Sequence, residues 1–269
     1  MVDGVTREND AVQVFKSRKA VCHGQAVLFK AFCDELKIKC HVVNGPVKQR
    51  FIEDGKLVEH AWNAVEIHGK RHLLDCTWGC MVDNEKNAVN FRKYSTNDFY
   101  FLTPPELLIL NHFTRDPDWQ LLKTPKTLEQ FVKEPNYLDK NNGWNNEPLM
   151  NGVPLGVIAD FVQKNSIDDL VLTYSVFCPI QVLEMPLYGK LEINRKYKFA
   201  FKVPANFRMD VKMGESISQP MIKDKEGNYV AEISLDKVAP VRIVLWDKEN
   251  KFKGSSTFAF YNYVEKDSD

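Results

Sequence analysis

The pattern of hydrophobic and polar positions changes about halfway along the chain. Over roughly the first hundred residues helical and strand patterns alternate, whereas the last hundred read almost entirely as short strands separated by Pro, Gly and polar turns. Four prolines interrupt the region between them: Pro117, Pro125, Pro135 and Pro148. This shift predicts a first domain over residues 1–122, a packed linker over 123–150 and a second domain over 151–269.

The first part contains predicted helices and a predicted hairpin. In chain order, the expected elements are helices at Ala11–Lys19 and Cys22–Leu36, strands at Ile38–Asn44, His60–Ile67 and Arg71–Thr77, and a helix after a capping box at Thr103–Glu106. Apolar residues cover more than half of the circumference of the second helix, so we expect that helix to be largely buried. Gly45 and Pro46 are expected to close the first strand.

The second part is predicted to be an antiparallel sandwich of immunoglobulin-like type. Its expected strands are Leu170–Phe177, Tyr197–Val203, Phe207–Met213, Tyr229–Leu235, Val241–Trp246 and Ser256–Tyr263. An aromatic residue recurs at every second position in two of them, and we expect these rings to fill the core: Phe199, Phe201, Phe258 and Phe260. No catalytic grouping is evident in this part.

Composition and charge narrow the functional classes. The chain has 269 residues, of which 44% are hydrophobic, which excludes a disordered or fibrous protein. Lys plus Arg and Asp plus Glu both total 36, so no basic face for nucleic acid or an anionic membrane is implied. The six cysteines are too sparse for a disulfide scaffold, and no apolar run has the length of a signal peptide or a membrane span. We therefore expect a cytoplasmic protein.

The sharpest candidate for chemistry is Cys22 at the predicted start of a helix. Unpaired amide groups and the helix dipole favour an anion there, so the thiolate should form more easily than in an average cysteine. Gly24 and Ala26 leave room for a substrate. A thiolate nucleophile also needs a base to share its proton and a third group to orient that base.

His60 and Asp75 can supply the base and the orienting carboxylate. Across a hairpin with an even-numbered loop, two residues face the same side when their numbers add to an odd sum, and 60 plus 75 is odd. A loop of two or four residues at His68–Lys70 would make them direct or diagonal neighbours. Taken singly, a cysteine at a helix start is usually a packing residue and a strand histidine is usually a hydrogen-bonded core residue. Their combination favours catalysis.

Metal and cofactor chemistry finds less support. Cys76 and Cys80 form only one close pair of candidate ligands, whereas zinc sites usually show two such pairs. The acidic turn at Asp224–Gly227 lacks the alternating spacing of a calcium loop and is interpreted as a solvated hairpin turn. No glycine-rich phosphate loop appears. We predict neither a metal nor a cofactor.

Three blocks of the sequence resemble the catalytic blocks of the transglutaminase-like superfamily. They are Lys19–Phe29 around Cys22, Glu59–Val65 around His60, and Leu73–Gly79 around Asp75. Two further blocks, Phe99–Pro104 and His112–Leu122, are similar to the kyphoscoliosis peptidase and hillarin branch. The resemblance covers about residues 12 to 122. Only about twenty residues precede Cys22, which suggests a core shortened at its N-terminus.

This resemblance implies an α+β protein with a papain-like transglutaminase core followed by the immunoglobulin-like domain. Cys22 would be the nucleophile, His60 the general base and acid, and Asp75 the orienting carboxylate, in acyl transfer through a thioester on a protein or peptide substrate. Gln13 is a candidate oxyanion donor, and Trp62 is a candidate to roof the site or to fill the core. The alternative is a catalytically weak scaffold that binds cytoskeletal proteins.

Overall fold

The computed structural model describes most of the chain. The described residues are 10–48, 57–83, 89–91, 98–134, 152–173, 178–215, 217–236, 239–249 and 255–264. They separate into two compact units, Met1–Lys140 and Asn141–Asp269. Most of the predicted linker, from 135 to 150, lies outside the described residues. Within the described part of the chain, none of the helices has both the length and the apolar character needed to span a membrane.

The first unit combines short helices with a small antiparallel sheet. Its helices are α1 Ala11–Ser17, α2 Cys22–Glu35, α3 Cys76–Gly79, α4 Pro105–Leu108 and α5 Leu128–Lys133. Its strands are β1 Cys40–Lys48, β2 Leu57–Ile67, β3 Lys70–Leu74, β4 Met81–Asp83 and β5 Val89–Phe91. The strands β1, β2 and β3 form one sheet in that order, and β4 pairs with β5.

Helix α2 is less buried than its apolar composition predicts. Only Gly24, Ala26 and Cys33 are buried, and Phe32 and Leu36 are 50% and 71% exposed. The expectation of a largely buried helix was wrong because the fully buried residues of α2 are small ones, while a large residue such as Phe29 packs on the core but stays partly exposed. The amide of Asn63 on β2 donates to the carbonyl of Ala26 at 3.0 Å. This bond ties the helix to the strand at a close approach.

Strand β1 continues through the two residues predicted to end it. Gly45 and Pro46 pair with His60 and Glu59 of β2. The carbonyl of Pro46 accepts from the amide of Phe113 on the outer edge of the sheet at 3.0 Å. In a strand the N–H and C=O of one residue point to the same side, so the missing N–H of Pro46 faces away from β2 and breaks no bond to it.

The predicted hairpin forms with a two-residue turn. His68 and Gly69 both have positive φ, at 50° and 74°, as the common tight hairpin turn requires. Strand β3 ends at Leu74 rather than at Thr77, because Asp75 caps α3. The segment around 100–113 then lines both edges of the sheet: Thr103 bridges to Leu73 on β3, and His112 bridges to Val47 on β1.

The predicted capping box at Thr103–Glu106 does not form. Thr103 donates its backbone amide to Leu73 at 2.9 Å and its hydroxyl to the carbonyl of Phe99. With both groups engaged elsewhere, α4 begins one residue later with Pro104 as its cap. The prediction placed Pro104 at the first helical position, whereas in the structure Pro105 takes that position.

The described residues of the second unit are rich in strands and include a helix that the sequence did not predict, α6 Leu155–Lys164. Its strands are β6 Leu172–Thr173, β7 Gln181–Glu184, β8 Lys190–Glu192, β9 Lys196–Lys202, β10 Phe207–Met213, β11 Ile217–Pro220, β12 Ile222–Lys223, β13 Tyr229–Ser234, β14 Val241–Asp247 and β15 Ser255–Val264. One sheet has the order β11-β10-β14-β15-β6, with β8 added parallel to β15, and a second has the order β12-β13-β9-β7. Residues 174–177 of the predicted first strand lie outside the described residues.

Aromatic rings join the two sheets of the second unit. Phe201 on β9 meets Phe258 on β15, and Phe199 meets Tyr261, both with ring centroids 5.7 Å apart. Phe260 was expected in this core but is only half-buried. The β14–β15 register shifts between Ile243 and Val244. This irregularity changes the alternation along β15 and brings Tyr261 inward instead.

Candidate active site

Cys22 is the first residue of the fourteen-residue helix α2. The preceding residue, Val21, offers no side-chain cap, so the first amide groups of the helix remain available to an anion. Burial opposes ionisation of the Cys22 thiol, but the nearby side chain of His60 and the backbone amides of Ala61 and His23 lower its pKa. The helix start and strand β2 therefore both favour the anionic form of this thiol.

His60 and Asp75 meet across the hairpin as the parity argument predicted. The β2–β3 register pairs Asn63 with Leu74. One residue further along, Asp75 therefore lies beside Trp62 and diagonal to His60. His60 Nε2 lies 2.7 Å from Asp75 Oδ2. Because Nε2 is engaged with Asp75, Nδ1 is the ring nitrogen that remains for another partner.

The Asp75 carboxylate is held by four donors. Its Oδ1 accepts from the amides of Thr77 at 2.8 Å and Trp78 at 3.1 Å, as the cap of α3. Its Oδ2 accepts from His60 and lies 3.1 Å from His112 Nε2. Asp75 is only 1% exposed, and a buried carboxylate is stable when hydrogen bonds replace its hydration. The carboxylate is thus fixed in position and in charge.

Burial disfavours the charged forms of Cys22, His60 and Asp75, whereas hydrogen bonds and neighbouring charges favour them. Burial alone would lower the pKa of His60, but its bonds to Asp75 and Cys22 raise that pKa to about 9. Burial opposes ionisation of Cys22, yet the bond to His60 and its positive charge lower the thiol pKa. Burial likewise opposes ionisation of Asp75, and the bonds from His112 and His60 hold its pKa below the usual range. The cluster favours a thiolate beside an imidazolium.

The other five cysteines show the opposite shift. Burial raises the pKa of each of them: Cys33, Cys40, Cys76, Cys80 and Cys178. For Cys40 and Cys76 the pKa reaches about 12. Cys22 is therefore the one acidic thiol among the six cysteines, all of which lie within the described part of the chain.

His112 is a further member of the site that was not predicted from the sequence. It lies behind Asp75, fully buried, in a segment whose other residues from Leu107 to Phe113 are apolar except Asn111. A polar pair inside such an apolar run is the signal that could have revealed it, because buried polar residues need partners. His112 Nδ1 lies 2.6 Å from Asn111 Oδ1, and the Asn111 amide reaches the Tyr100 hydroxyl at 3.1 Å.

Trp62 and Gln13, the candidates for roofing the site and for donating to the oxyanion, lie in different environments. Trp62 is 1% exposed, and its ring stacks against His60 with centroids 6.4 Å apart. This burial favours the core-filling alternative over a roof. Gln13 lies exposed on α1, and its role as an oxyanion donor stays a prediction.

His60, Asp75 and His112 are also a possible group of metal ligands. Their ligand atoms all lie within 4.8 Å of one another. The two imidazole nitrogens approach the same oxygen at 2.7 and 3.1 Å, which are hydrogen-bond distances. Direct donation to the carboxylate accounts for this arrangement without an ion.

The sequence of the first unit is similar to those of several known proteins. Residues 3–77 match the sequence model of the Transglutaminase-like superfamily. Kyphoscoliosis peptidase of Mus musculus is 39% identical over 123 residues, which are 44% of this chain and 18% of that protein. Hillarin of Drosophila melanogaster is 32% identical over 122 residues, 40% of this chain and 15% of that protein. Cytokinesis protein 3 of Schizosaccharomyces pombe is 27% identical over 126 residues, 44% of this chain and 14% of that protein. Each match spans less than a fifth of the relative's length.

Proposed function

Residues 3–77 belong to the transglutaminase-like superfamily, in the branch of kyphoscoliosis peptidase and hillarin, and from this premise we propose that the first unit is a cysteine-dependent acyltransferase. Cys22, His60 and Asp75 are its catalytic triad. Its substrate is a protein or peptide. The observation that carries the proposal is the buried contact between His60 Nε2 and Asp75 Oδ2 at 2.7 Å, beside the helix that begins at Cys22. It is supported by the direction of the thiol pKa values, because that of Cys22 is lowered whereas burial raises those of the five other cysteines.

Acylation begins with attack of the Cys22 thiolate on the carbonyl carbon of a peptide or glutamine carboxamide. The backbone amide of Cys22 is one donor to the developing oxyanion, and Gln13 is the candidate for the second. The His60 imidazolium gives its Nδ1 proton to the leaving nitrogen as the C–N bond breaks. The products of this half-reaction are a thioester on Cys22 and a free amine or ammonia.

Deacylation returns the enzyme to its starting state. Neutral His60 removes a proton from the acceptor, which attacks the thioester carbon and expels the Cys22 thiolate. Water as the acceptor gives a carboxylic acid and makes the protein a peptidase, as the name of kyphoscoliosis peptidase states for that relative. A primary amine gives a new amide. Asp75 keeps the imidazole oriented through both steps.

The first experiment measures alkylation of each cysteine by iodoacetamide against pH, with mass spectrometry as the readout. An ordinary thiol titrates near about 8.5, so rapid labelling of Cys22 down to about pH 6 indicates the thiolate–imidazolium pair. Asp75→Asn should weaken this labelling. If Cys22 labels no faster than Cys33 in the folded chain, the triad is inactive.

The second experiment identifies the acceptor. Hydrolysis of a fluorescent casein and incorporation of a fluorescent primary amine into casein are measured in parallel. Cys22→Ser should abolish whichever activity is present, whereas Cys80→Ser, which removes an exposed thiol of raised pKa, should leave it unchanged. Equal loss in both variants would contradict the assignment of Cys22.

For the second unit we infer an immunoglobulin-like β-sandwich over about residues 151–269, with residues 123–150 as a packed linker. Its two antiparallel sheets and the ring contacts between them support this assignment. The helix α5 supports packing at the start of the linker, since Phe131 is fully buried beside Phe113. Limited proteolysis should release this unit as a stable fragment, and continuous degradation would contradict the boundary.

A catalytically weak scaffold that binds cytoskeletal proteins in the cytoplasm is the second candidate function. Its support is the similarity to cytokinesis protein 3, whose name indicates a role in cell division. Co-sedimentation with actin filaments or microtubules, measured for the wild-type chain and for Cys22→Ser, tests it. Equal binding by both chains, together with an unreactive Cys22, would favour the scaffold over the enzyme.

A further inference from the structure

The proposed triad leaves one buried titratable group of the cluster without a role, the imidazole of His112. Its backbone is fixed against β1, because Lys48 donates to the Asn111 carbonyl at 2.9 Å and Phe113 donates to that of Pro46 at 3.0 Å. Its ring is enclosed by Trp78 and Trp62, at centroid distances of 4.6 and 5.1 Å. Its Nε2 reaches the cluster at Asp75, and its ring lies edge-on to that of His60.

We propose that His112 is a positioning residue that holds Asp75 by donating its Nε2–H to Asp75 Oδ2 as a neutral imidazole. The donor–acceptor pattern carries this inference. Asp75 is an anion that can only accept, and its Oδ2 lies 3.1 Å from His112 Nε2, so the proton between them belongs to the histidine. The consequence for Cys22 rests on the proposed function, whereas the bond itself does not.

The neighbours of His112 can complete this pattern. A neutral imidazole with its proton on Nε2 has an acceptor at Nδ1, which must then face an N–H. The Asn111 oxygen lies 2.6 Å from Nδ1, so this pattern requires the amide to be reversed, which exchanges its oxygen and nitrogen with little change of shape. The Asn111 oxygen then accepts from the Tyr100 hydroxyl, which is also its neighbour. Each group in the chain from Tyr100 to Asp75 thereby has a partner of the right kind.

The surroundings favour the neutral form. The titratable groups that face His112 are Asp75, His60 and Tyr100, and Cys22 lies beyond His60. Complete burial lowers the pKa of His112, and the positive charge of His60 adds to that effect against the attraction of Asp75. His60 is thus the charged imidazole beside Asp75, and His112 is the neutral one.

Gly45 supplies the space that this arrangement needs. A Cβ at Gly45 would lie 2.0 Å from the carbonyl oxygen of Phe113, which no side chain tolerates. Gly45 is also the β1 partner of His60. The close approach of the 111–113 segment to β1 therefore depends on glycine at this position, and that approach places His112 behind Asp75.

The test begins with the wild-type full chain labelled with ¹⁵N-histidine. Ring nitrogen shifts identify the protonated nitrogen, and loss of one signal set in His112→Gln assigns His112. We expect a proton on Nε2 and none on Nδ1 from about pH 6 to 8, where an ordinary histidine titrates. A proton on Nδ1 alone, or on both nitrogens at pH 7, overturns the inference. The inference is also overturned if the purified chain contains stoichiometric zinc and the Nε2 atoms of His60 and His112 are both unprotonated.

The second arm measures iodoacetamide alkylation of Cys22 at pH 6. His112→Leu removes the donor at similar volume and should slow labelling about tenfold, equivalent to about one unit in the thiol pKa. His112→Gln places an amide N–H near the position of Nε2 and should restore the rate to within about threefold. A purely space-filling histidine would give equal rates for both variants, which would overturn the inference.

A matched control separates positioning from stability. Leu110 is buried two residues away, 2% exposed, and Leu110→Ala should destabilise the same segment without touching Asp75. Its Cys22 rate should stay within about twofold of wild type, since no hydrogen bond of the cluster changes. If wild-type Cys22 is no more reactive than Cys33, the proposed function fails, and the ring nitrogen shifts still decide the role of His112. The shifts are measured on the wild-type chain, and His112→Gln is needed only to assign the signals of His112.

Discussion

Helix α2 carries a cysteine near each end, and the two thiols lie in opposite electrostatic environments. Cys22 begins the helix, meets His60 and has a lowered pKa. Cys33, eleven residues later, packs in an apolar cluster with Cys40, Val65 and Leu74, where burial raises its pKa. The residue type and the helix are the same. The difference lies in what each end of the helix meets.

The comparison shows which features create reactivity at a buried thiol. Both thiols lose hydration, which disfavours the anion in each case. At Cys22 the loss is outweighed by a cationic ring and by amide donors. At Cys33 the neighbouring side chain is another thiol, Cys40, and the charges of Asp34 and Lys30 act on its pKa in opposite directions. A cationic ring beside the sulfur, rather than exposure, therefore separates the candidate nucleophile from the core residue.

The largest expected effect comes from removing that partner. His60→Ala should slow iodoacetamide labelling of Cys22 at pH 6 by about 30- to 100-fold, because a thiol of ordinary pKa is almost wholly protonated there. Labelling of Cys33 and Cys40 should not change. Peptide-resolved mass spectrometry of one labelled sample measures all three rates together. A Cys22 rate that is unchanged in the variant would remove the basis of the comparison.

The second effect acts on the backbone behind the site. Gly45→Ala should lower the free energy of unfolding by about 2–3 kcal/mol, the range of overpacked buried sites, because its Cβ would collide with the carbonyl of Phe113. It should also slow Cys22 labelling several-fold by shifting His112, while Cys33 at the far end of α2 stays buried. Urea unfolding and the labelling assay measure the two parts.

Gly69→Ala provides a control for this variant. Gly69 has a φ of 74°, and a Cβ there meets nothing within 4 Å, so the cost is backbone strain alone, about 1 kcal/mol. The turn lies at the other end of the hairpin from His60, and Cys22 labelling should be unchanged. If both glycine variants slow Cys22 equally, the close approach at Gly45 has no specific role in the site.

The sequence predicted the site better where it depends on local pattern than where it depends on long-range pairing. The parity of His60 and Asp75 follows from a two-residue turn, and the start of α2 at Cys22 follows from residue type and periodicity. Neither pattern contains the segment 100–113, which lies along both edges of the sheet. For this reason Thr103 was interpreted as a helix cap, Pro46 as the end of a strand, and His112 was not assigned to the site.

A third prediction concerns how the free energy of unfolding changes with pH, and it tests the contribution of the Cys22 thiol. Between about pH 6.5 and 8.5 the unfolded chain largely holds a proton on Cys22 and none on His60, whereas folding raises the pKa of His60 to about 9 and lowers that of Cys22. The gain of a proton at the ring and the loss at the sulfur oppose each other, so the pair changes the slope of stability less than His60 alone would. The core thiols, whose pKa is raised in the folded chain, contribute little below about pH 7.5, where both states keep them protonated.

In Cys22→Ser this compensation is lost. The pKa of His60 in the folded chain is still raised by Asp75, so its contribution is fully present below about pH 6.5 and disappears as pH rises through the folded value. The free energy of unfolding should fall by about 1–2 kcal/mol between pH 6 and 9 relative to wild type, at 1.36 kcal/mol per pKa unit. Urea unfolding at pH 6, 7.5 and 9 measures it. Cys33→Ser removes a thiol of raised pKa, so its stability should fall no more than that of wild type over this range, and an equal fall in both variants would contradict a charged pair in the folded protein.

The smallest expected effect is at Trp62, which stacks on His60 but lies on the core side of it. The indole Nε1 is buried and has no hydrogen-bond partner among the described residues, so Trp62→Phe removes ring volume without breaking a bond. We expect a loss of about 1 kcal/mol in stability, typical of a modest volume change in a core. Cys22 labelling should change by no more than about twofold, since the bonds of His60 to Asp75 and Cys22 remain. A tenfold loss of labelling without a matching loss of stability would instead make Trp62 part of the environment that separates Cys22 from Cys33.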